Sequence, residues 1–172
     1  MANRRRSGCG TAVAVVLVVA VLAAAAGYVL WARYTATAQY ATLKALQAVS
    51  WRDYDEFSRW VDVDTVVDRA IEAGAVTPPA AVREAIERSA KAAIRHRVTQ
   101  GMRGVPRDVP FVALLVGNVI RSVRVTGDDA DVTAETTSAR RRLRFDLRLR
   151  REDGRWRIVE VRNASELLLG GL

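Results

Sequence analysis

Two residue types that carry out much enzyme chemistry occur only once each in this chain of 172 residues, as Cys9 and His96. Cys9 precedes a long apolar segment, away from the rest of the chain, and a single cysteine cannot form an intramolecular disulfide. His96 falls off the apolar stripe of its predicted helix, which indicates a solvated side chain rather than a general base. A zinc site needs several Cys or His ligands, which this chain lacks. Together with the positions of Cys9 and His96, this predicts no catalytic, cofactor-binding or metal-ligating residue.

Five aspartates crowd one stretch of the chain: Asp53, Asp55, Asp62, Asp64 and Asp68. A carboxylate with a shifted pKa can transfer protons, but aspartates also cap helices and solvate their exposed faces. A calcium loop is disfavoured because the spacing lacks its glycine turn and closing glutamate. We favour the capping interpretation and keep proton transfer as the alternative.

Arginines dominate the C-terminal part of the chain. Residues 140–162 contain ten arginines and four acids, within a net charge of +8 for the whole chain. One predicted strand contains four arginines that are separated by even numbers of residues, so their side chains share a face of the sheet. They are Arg142, Arg144, Arg148 and Arg150. These four arginines are a candidate docking surface for an anionic lipid headgroup, an envelope polymer or an envelope protein, although the pattern itself favours the simpler interpretation that follows. The other interpretation is a solvated face, partly neutralised by acids on the neighbouring strand.

Residues 11–32 form an uncharged apolar segment, TAVAVVLVVAVLAAAAGYVLWA. At about 1.5 Å per residue, a helix of this length spans a hydrocarbon core of about 30 Å. Tyr28, Trp31 and Tyr34 lie near its C-terminal end, where aromatic rings favour the headgroup layer. The cluster Arg4–Arg6 at the other end favours a cytoplasmic N-terminus. We therefore predict a single-pass membrane protein, which contacts the lipid bilayer through this segment.

This topology divides the chain into a cytoplasmic basic tail (1–10), a transmembrane anchor (11–32), an extracytoplasmic α+β domain (33–163) and a C-terminal tail (164–172). A cleaved signal peptide is the alternative, because Ala24–Ala26 offer small residues at a cleavage-like spacing. The apolar run continues past them to Trp31, which favours an uncleaved anchor. A sequence pI of about 10.7 would suggest nucleic-acid binding in a cytosolic protein, but the predicted topology argues against that partner.

Helical periodicity extends over the first part of the domain. A helix is predicted over Thr35–Val49, in one interpretation as a direct continuation of the anchor. Ser50, followed by Asp53, and Asp64 are the predicted N-caps of two short helices. Phe111–Ile120 is apolar throughout and too short to span a membrane, which indicates a buried helix. Between them, a longer helix has a predicted buried face formed by Val82, Ala85, Ile86, Ala90, Ala93 and Ile94.

From Ser122 onward the apolar period changes from 3.6 to 2, as in β-strands. Leu143, Phe145, Leu147 and Leu149 alternate with charged residues and predict one buried sheet face. We favour the register in which Val132 faces Leu147, because it also pairs opposite charges: Glu135 with Arg144, Asp131 with Arg148, and Asp129 with Arg150. The predicted strands are Ser122–Thr126, Ala130–Thr137, Arg141–Arg150 and Arg155–Arg162. Helices followed by such a meander predict an α+β fold, with helices packed on one face of a four-stranded antiparallel sheet.

Two parts of the chain resemble known families. The run from Tyr40 to Asp68, with Leu43, Asp53, Phe57, Val61-Asp62 and Val66, resembles the start of a family of membrane-anchored bacterial proteins with a domain of unknown function. Where that family has an aromatic residue and a proline after its valine–aspartate pair, this chain has Val63-Asp64. The run Asp153–Val159 is similar to the closing hairpin of nuclear-transport-factor-2-like, cystatin-type folds. There a glycine, here Gly154, turns the chain and a tryptophan, here Trp156, seals the core. This resemblance implies a cone-shaped helix-plus-sheet domain.

Two functional hypotheses follow. The leading one is a non-catalytic, membrane-tethered module of the cell envelope that binds a partner protein, lipid or polymer. The alternative is a small-molecule binder or proton-transfer enzyme, which would use the cone-shaped pocket implied by the second resemblance. An enclosed pocket with an inward-facing carboxylate would favour the alternative. A cone filled by Phe145, Leu147 and Trp156 would favour the binding module.

Overall fold

The structure is a computed structural model that describes residues 8–74, 78–101, 107–117, 119–138 and 141–163. It consists of two compact units, Met1–Thr35 and Ala36–Leu172. Three features of the sequence lie outside the described residues: the Arg4–Arg6 cluster, the connection at residues 139–140 and the C-terminal tail at residues 164–172.

The described part of the first unit is the helix α1 (Gly8–Thr35). Its described apolar side chains are exposed, among them Val21 and Leu22. Within the part of the chain that the structure describes, none of the helices taken singly is long and apolar enough to cross a membrane. Val19–Thr35 and Ala38–Trp51 satisfy that requirement only as a pair, by length and composition. The transmembrane anchor over residues 11–32 therefore stays a prediction.

The second unit is an α+β domain, as predicted. Its helices and strands follow one another in the order α2 (Ala38–Trp51), α3 (Tyr54–Trp60), α4 (Val63–Glu72), α5 (Ala80–Gln100), α6 (Phe111–Val116), β1 (Ile120–Thr126), β2 (Asp129–Ser138), β3 (Arg141–Glu152) and β4 (Arg155–Val161). The predicted change from helical to strand periodicity is confirmed.

Helix α2 lies at the centre of the domain and contacts β1, β2 and β4. Thr37 has extended backbone and caps the helix, because its side chain accepts a hydrogen bond from the Tyr40 N–H at 3.2 Å. Ala36 and Thr37 are not helical, so the interpretation of α2 as a direct continuation of α1 is wrong. The helix ends at Arg52, whose φ of 61° is in the left-handed region.

Ser50 belongs to α2 rather than capping the next helix. It is buried, its hydroxyl donates to the Gln47 carbonyl at 2.9 Å, and it accepts a hydrogen bond from the Val109 N–H at 3.3 Å. The N-cap of α3 is Asp53, whose carboxylate accepts from the Glu56 N–H at 2.9 Å. The predicted cap is therefore wrong, because tertiary packing uses the serine to hold a distant loop.

Helix α4 is capped in the same way. Its N-cap is Asp62, whose carboxylate accepts from the Thr65 N–H at 3.1 Å, rather than the predicted Asp64. The carboxylate of Asp64 lies instead 2.6 Å from the ammonium of Lys91 on α5. The cap prediction is wrong by two residues, but the assignment of these aspartates to caps and helix faces agrees with the structure.

The sheet has the strand order β1-β2-β3-β4, and each neighbouring pair is antiparallel. Strands β2 and β3 pair in the predicted register, with Val132 opposite Leu147. The three predicted charge pairs are also opposite one another in this ladder: Asp129 and Arg150, Asp131 and Arg148, Glu135 and Arg144. The register prediction is confirmed.

One side of the sheet forms the hydrophobic core. Phe145, Leu147, Leu149 and Trp156 are buried there, as predicted. The indole N–H of Trp156 donates to the carbonyl of Ala36 at 3.0 Å, immediately before α2. The same core contains apolar residues of α2 and β2, namely Ala38, Ala41, Leu43, Ala45, Ala130, Val132 and Ala134.

The predicted buried face of α5 is confirmed at Ala90 and Ile94 but is wrong at its other positions. Val82 and Ile86 are 48% and 41% exposed. Arg83 points toward α4 instead, where it lies 3.7 Å from Asp68. Because charged side chains face α4, the helix is rotated away from the expected orientation. The apolar side chains of α5 that are buried or packed against the core are Ala90, Ile94 and Val98.

The predicted helix over Phe111–Ile120 is also only partly correct. Helix α6 ends at Val116, and β1 begins at Ile120. Phe111 and Leu114 pack against the core, but Val112 and Leu115 are 65% and 46% exposed. The expectation of a helix that is buried throughout is therefore wrong.

Candidate functional site

The side of the sheet opposite the core carries charged residues on every strand. We call it the charged face. It contains the four arginines predicted as an anionic-partner surface together with acids on neighbouring strands. One row crosses all four strands with alternating sign, from Arg124 through Asp131 and Arg148 to Glu160. The structure therefore interleaves the arginines with carboxylates. The further members named below are Arg121, Asp129, Glu135, Arg142, Arg144, Asp146, Arg150, Arg155 and Arg162.

Arg148 and Arg150 share one carboxylate. Asp129 accepts hydrogen bonds from the Arg148 Nη2 and the Arg150 Nε, each at 3.2 Å. These bonds stabilise the ionised form and lower the pKa of Asp129 below its ordinary value. A multivalent anion that bound these two guanidinium groups would have to compete with this carboxylate.

Arg144 is held by a neighbour on its own strand. Its Nε and Nη2 each lie 3.1 Å from the same carboxylate oxygen of Asp146. Partial burial acts against ionisation of Asp146, but hydrogen bonds from Thr133 and Arg144 outweigh it and lower the pKa. The Asn163 side chain binds this segment at the backbone, because it donates to the Arg144 carbonyl and accepts from the Asp146 N–H.

Two acids of the charged face form ion pairs that strand pairing alone does not identify. Glu135 lies opposite Arg144 in the ladder, but its carboxylate binds Arg121 at 2.9 Å. Asp131 lies opposite Arg148, but it binds Arg162 at 2.8 Å. Side chains of this length reach diagonal neighbours across a sheet, so backbone register does not decide which charges pair.

Arg155 on β4 is exposed, lies opposite Glu152 and forms no ion pair with a described residue. Arg124 and Arg142 are two further arginines of the charged face that remain available. Both are exposed, and neither forms an ion pair with any residue that the structure describes. They lie on β1 and β3. Three of the four arginines predicted from the sequence form ion pairs with Asp129 or Asp146. The fourth, Arg142, forms no ion pair with a described carboxylate.

The remaining candidates for chemistry are dispersed over the domain. His96 is exposed on α5, and the side chain of Cys9 is outside the described part of α1. Within the described residues, no group of three or more Cys, His, Asp or Glu side chains is arranged to hold a metal ion. Besides their roles as caps, the crowded aspartates form ion pairs with α5, where Arg83 reaches Asp68 and Lys91 reaches Asp64.

Sequence patterns did not identify the contacts that fix β4 to the helices. Arg69 on α4 binds Glu160 at 3.1 Å. Arg157 lies 3.6 Å from Asp62 and donates to the Ser58 carbonyl at 3.4 Å. These pairs join residues about ninety positions apart, so no local spacing could have indicated them. They hold the sheet edge against α3 and α4.

Comparison of the chain with protein-family models, curated proteins and solved structures finds no match. The two family resemblances of the sequence therefore stay predictions.

Proposed function

We propose that this chain is a non-catalytic module of the bacterial cell envelope, tethered to the inner membrane by residues 11–32. Its exported domain binds an anionic partner through the charged face. The observation that carries the proposal is the packing of Phe145, Leu147 and Trp156, which fill the inner side of the sheet with apolar atoms. That packing supports binding at the outer surface over chemistry in a cone-shaped pocket.

The exposed apolar surface of α1 supports the tether. Val21, Leu22 and Leu30 are each more than 60% exposed on this helix, and burying apolar surface away from water is favourable by about 25 cal/mol per Å². A bilayer supplies that burial along a segment of this length. The basic cluster Arg4–Arg6 favours a cytoplasmic N-terminus, which exports the α+β domain.

The distribution of ion pairs favours particular arginines of the charged face as contacts for a long polyanion. Arg124 and Arg142 need not break an ion pair with a described residue before they bind an anion. Guanidinium groups bind phosphate and carboxylate through paired N–H donors. A tether also holds these groups at high local concentration beside anionic envelope polymers. We therefore expect Arg124 and Arg142 to contribute more to binding than the neutralised Arg148 and Arg150.

Charge reversal tests this assignment. The full chain is placed in nanodiscs of neutral phosphatidylcholine, and binding of inorganic polyphosphate is measured by calorimetry at two salt concentrations. We expect R124E/R142E to weaken binding by about tenfold or more, equivalent to about 1.4 kcal/mol or more. The matched control is R59E/R88E, which makes the same change in net charge on the exposed surfaces of α3 and α5.

The two variants separate a site from a general effect of charge. A site on the charged face predicts a large loss for R124E/R142E and a loss of less than about threefold for R59E/R88E. Equal losses in the two variants would mean that net charge alone attracts the polyanion, and absence of binding by the unsubstituted chain would overturn the proposed anionic partner.

A further inference from the structure

Helix α6 carries an exposed pair of large apolar side chains beside two that pack on the core. Val112 and Leu115 are three residues apart, so they lie on the same side of the helix, and they are 65% and 46% exposed. Phe111 and Leu114 pack on the core and fix the helix to the domain. The exposed pair is therefore presented on a rigid support. We call Val112 and Leu115 the α6 patch.

The contacts of the preceding residues show where α6 lies along α2. The N–H of Val109 binds the Ser50 hydroxyl near the end of α2. Two residues later, the ring of Phe111 lies 5.4 Å from the ring of Tyr40 and 5.3 Å from the ammonium of Lys44. The ring of Phe111, at the start of α6, therefore reaches toward the side chains of the first turns of α2.

The side chains around this first turn have the composition of a membrane interface. The Tyr40 ring meets the Trp60 ring edge-on at 5.6 Å, and the Trp60 indole N–H donates to Glu56 at 2.9 Å. The ammonium of Lys44 lies 5.9 Å from the Tyr40 ring centre and donates to the Gln47 side chain at 3.2 Å, and this lysine is only partly buried. Aromatic rings with polar ends and lysines with apolar stems are both favoured at the boundary between hydrocarbon and water.

We propose that the α6 patch inserts into the outer interfacial layer of the bilayer and holds this end of the domain on the membrane surface. The inference rests on the proposed tether, because Tyr40 follows Thr35 by only five residues in the sequence. The first turn of α2 is therefore the part of the domain that an anchor at residues 11–32 would hold closest to lipid.

Size favours lipid over a protein as the occupant. A specific protein interface buries about 1,200–2,000 Å², whereas the α6 patch consists of two aliphatic side chains. A bilayer contact of that size would be too weak for a free protein, because association costs several kcal/mol of translational and rotational freedom. An anchored chain has already lost that freedom, so a small apolar contact suffices to orient the domain.

Site-specific quenching tests the inference on the full chain. In a C9S background, L115C is labelled with an environment-sensitive fluorophore and reconstituted in vesicles of phosphatidylethanolamine and phosphatidylglycerol. The matched control is V125C, because Val125 on β1 is an equally aliphatic, 55% exposed residue. We expect brominated lipids to quench the probe at residue 115 at least about twofold more than the probe at residue 125, and aqueous iodide to show the reverse order.

Alkaline extraction of the same vesicles separates this inference from the proposed tether. If the chain is extracted from the vesicles, the tether itself is wrong. If the chain stays in the membrane and iodide quenches both probes equally, the tether stands and the α6 inference is overturned. Protection of residue 115 from both quenchers would also overturn it, because a protein partner or a second copy would then cover the patch.

Discussion

Trp156 joins three parts of the domain through one side chain. Its ring is 5% exposed in the core, its indole N–H binds the Ala36 carbonyl at 3.0 Å, and the Arg151 guanidinium lies 5.6 Å from the ring centre. The ring therefore fills volume between sheet and helices, and the N–H fixes the backbone just before α2. Removing it would leave a cavity and delete the hydrogen bond to the Ala36 carbonyl.

We predict that Trp156→Ala lowers the free energy of unfolding by about 3–5 kcal/mol, the usual range for removing a large buried ring. Against a typical total of about 5–15 kcal/mol, this change would bring the domain close to unfolding. The measurement is a urea midpoint for the full chain in detergent micelles, followed by circular dichroism.

The control variant is Trp51→Ala, since Trp51 is also a tryptophan but is 49% exposed at the end of α2. We expect that variant to lose less than about 1 kcal/mol. A similarly small loss for Trp156→Ala would mean that the inward face of β4 is misassigned, and the face formed by Phe145, Leu147 and Leu149 would need reversal with it.

Among the elements, the β2–β3 ladder combines apolar burial on one side with ion pairs on the other. Leu147 and Val132 face each other in the core, while Asp129 binds both Arg148 and Arg150 on the charged face. A slip of one residue would move the apolar side chains into water and separate the charges. Both faces therefore specify the same register.

The ladder makes stability depend on pH in a defined direction. The hydrogen bonds from Arg148 and Arg150 lower the pKa of Asp129 in the folded state, so the folded state prefers the ionised carboxylate. Its contribution is fully present above the unfolded value, about 4, and is lost as the pH falls through the folded value. We predict that Asp129→Asn lowers the unfolding midpoint at pH 7 and that this difference from wild type shrinks below about pH 4.

Thermal unfolding of the full chain between pH 7 and pH 3 checks this prediction. Glu152→Gln is the matched control, because Glu152 is an exposed carboxylate on β3 that forms no ion pair with a described residue. It should leave the midpoint nearly unchanged at every pH. A constant difference between wild type and Asp129→Asn down to pH 3 would show that the carboxylate acts through its shape rather than its charge.

For the molecule as a whole, an apolar helix in one unit is joined to a charged α+β domain in the other. The apolar residues of α1 carry no charge between Thr11 and Ala32, whereas the arginines concentrate in residues 140–162. This separation supports a tethered domain. In the proposed topology, the orientation would depend on Arg4–Arg6, because basic residues close to an apolar segment resist translocation.

We predict that a reporter active only in the cytoplasm gives no signal when it is fused after Leu172. The same reporter fused before Met1 should be active, which controls for expression and insertion. A strong signal from the C-terminal fusion would overturn the orientation. Replacing Arg4–Arg6 with serines should raise the signal of the C-terminal fusion, because the charge that retains the N-terminus is then lost.

The sequence by itself determined the α+β class, the four strands, the β2–β3 register and the burial of Trp156. These features follow from local periodicity, because alternate residues of a strand must face opposite sides. Opposite charges at Asp129 and Arg150 then selected one register among neighbours. The arginines were therefore placed on the correct side of the sheet without any knowledge of the helices.

Tertiary structure decided which residues those side chains contact. Glu135 binds Arg121 rather than Arg144, and Ser50 holds the backbone of Val109 rather than capping α3. Helix α5 turns Arg83 toward α4 and leaves Val82 half-exposed. Each outcome depends on groups that are distant in sequence, or on long side chains with several partners within reach. Local patterns cannot rank such partners, because the free energies of alternative surface ion pairs differ by less than about 1 kcal/mol.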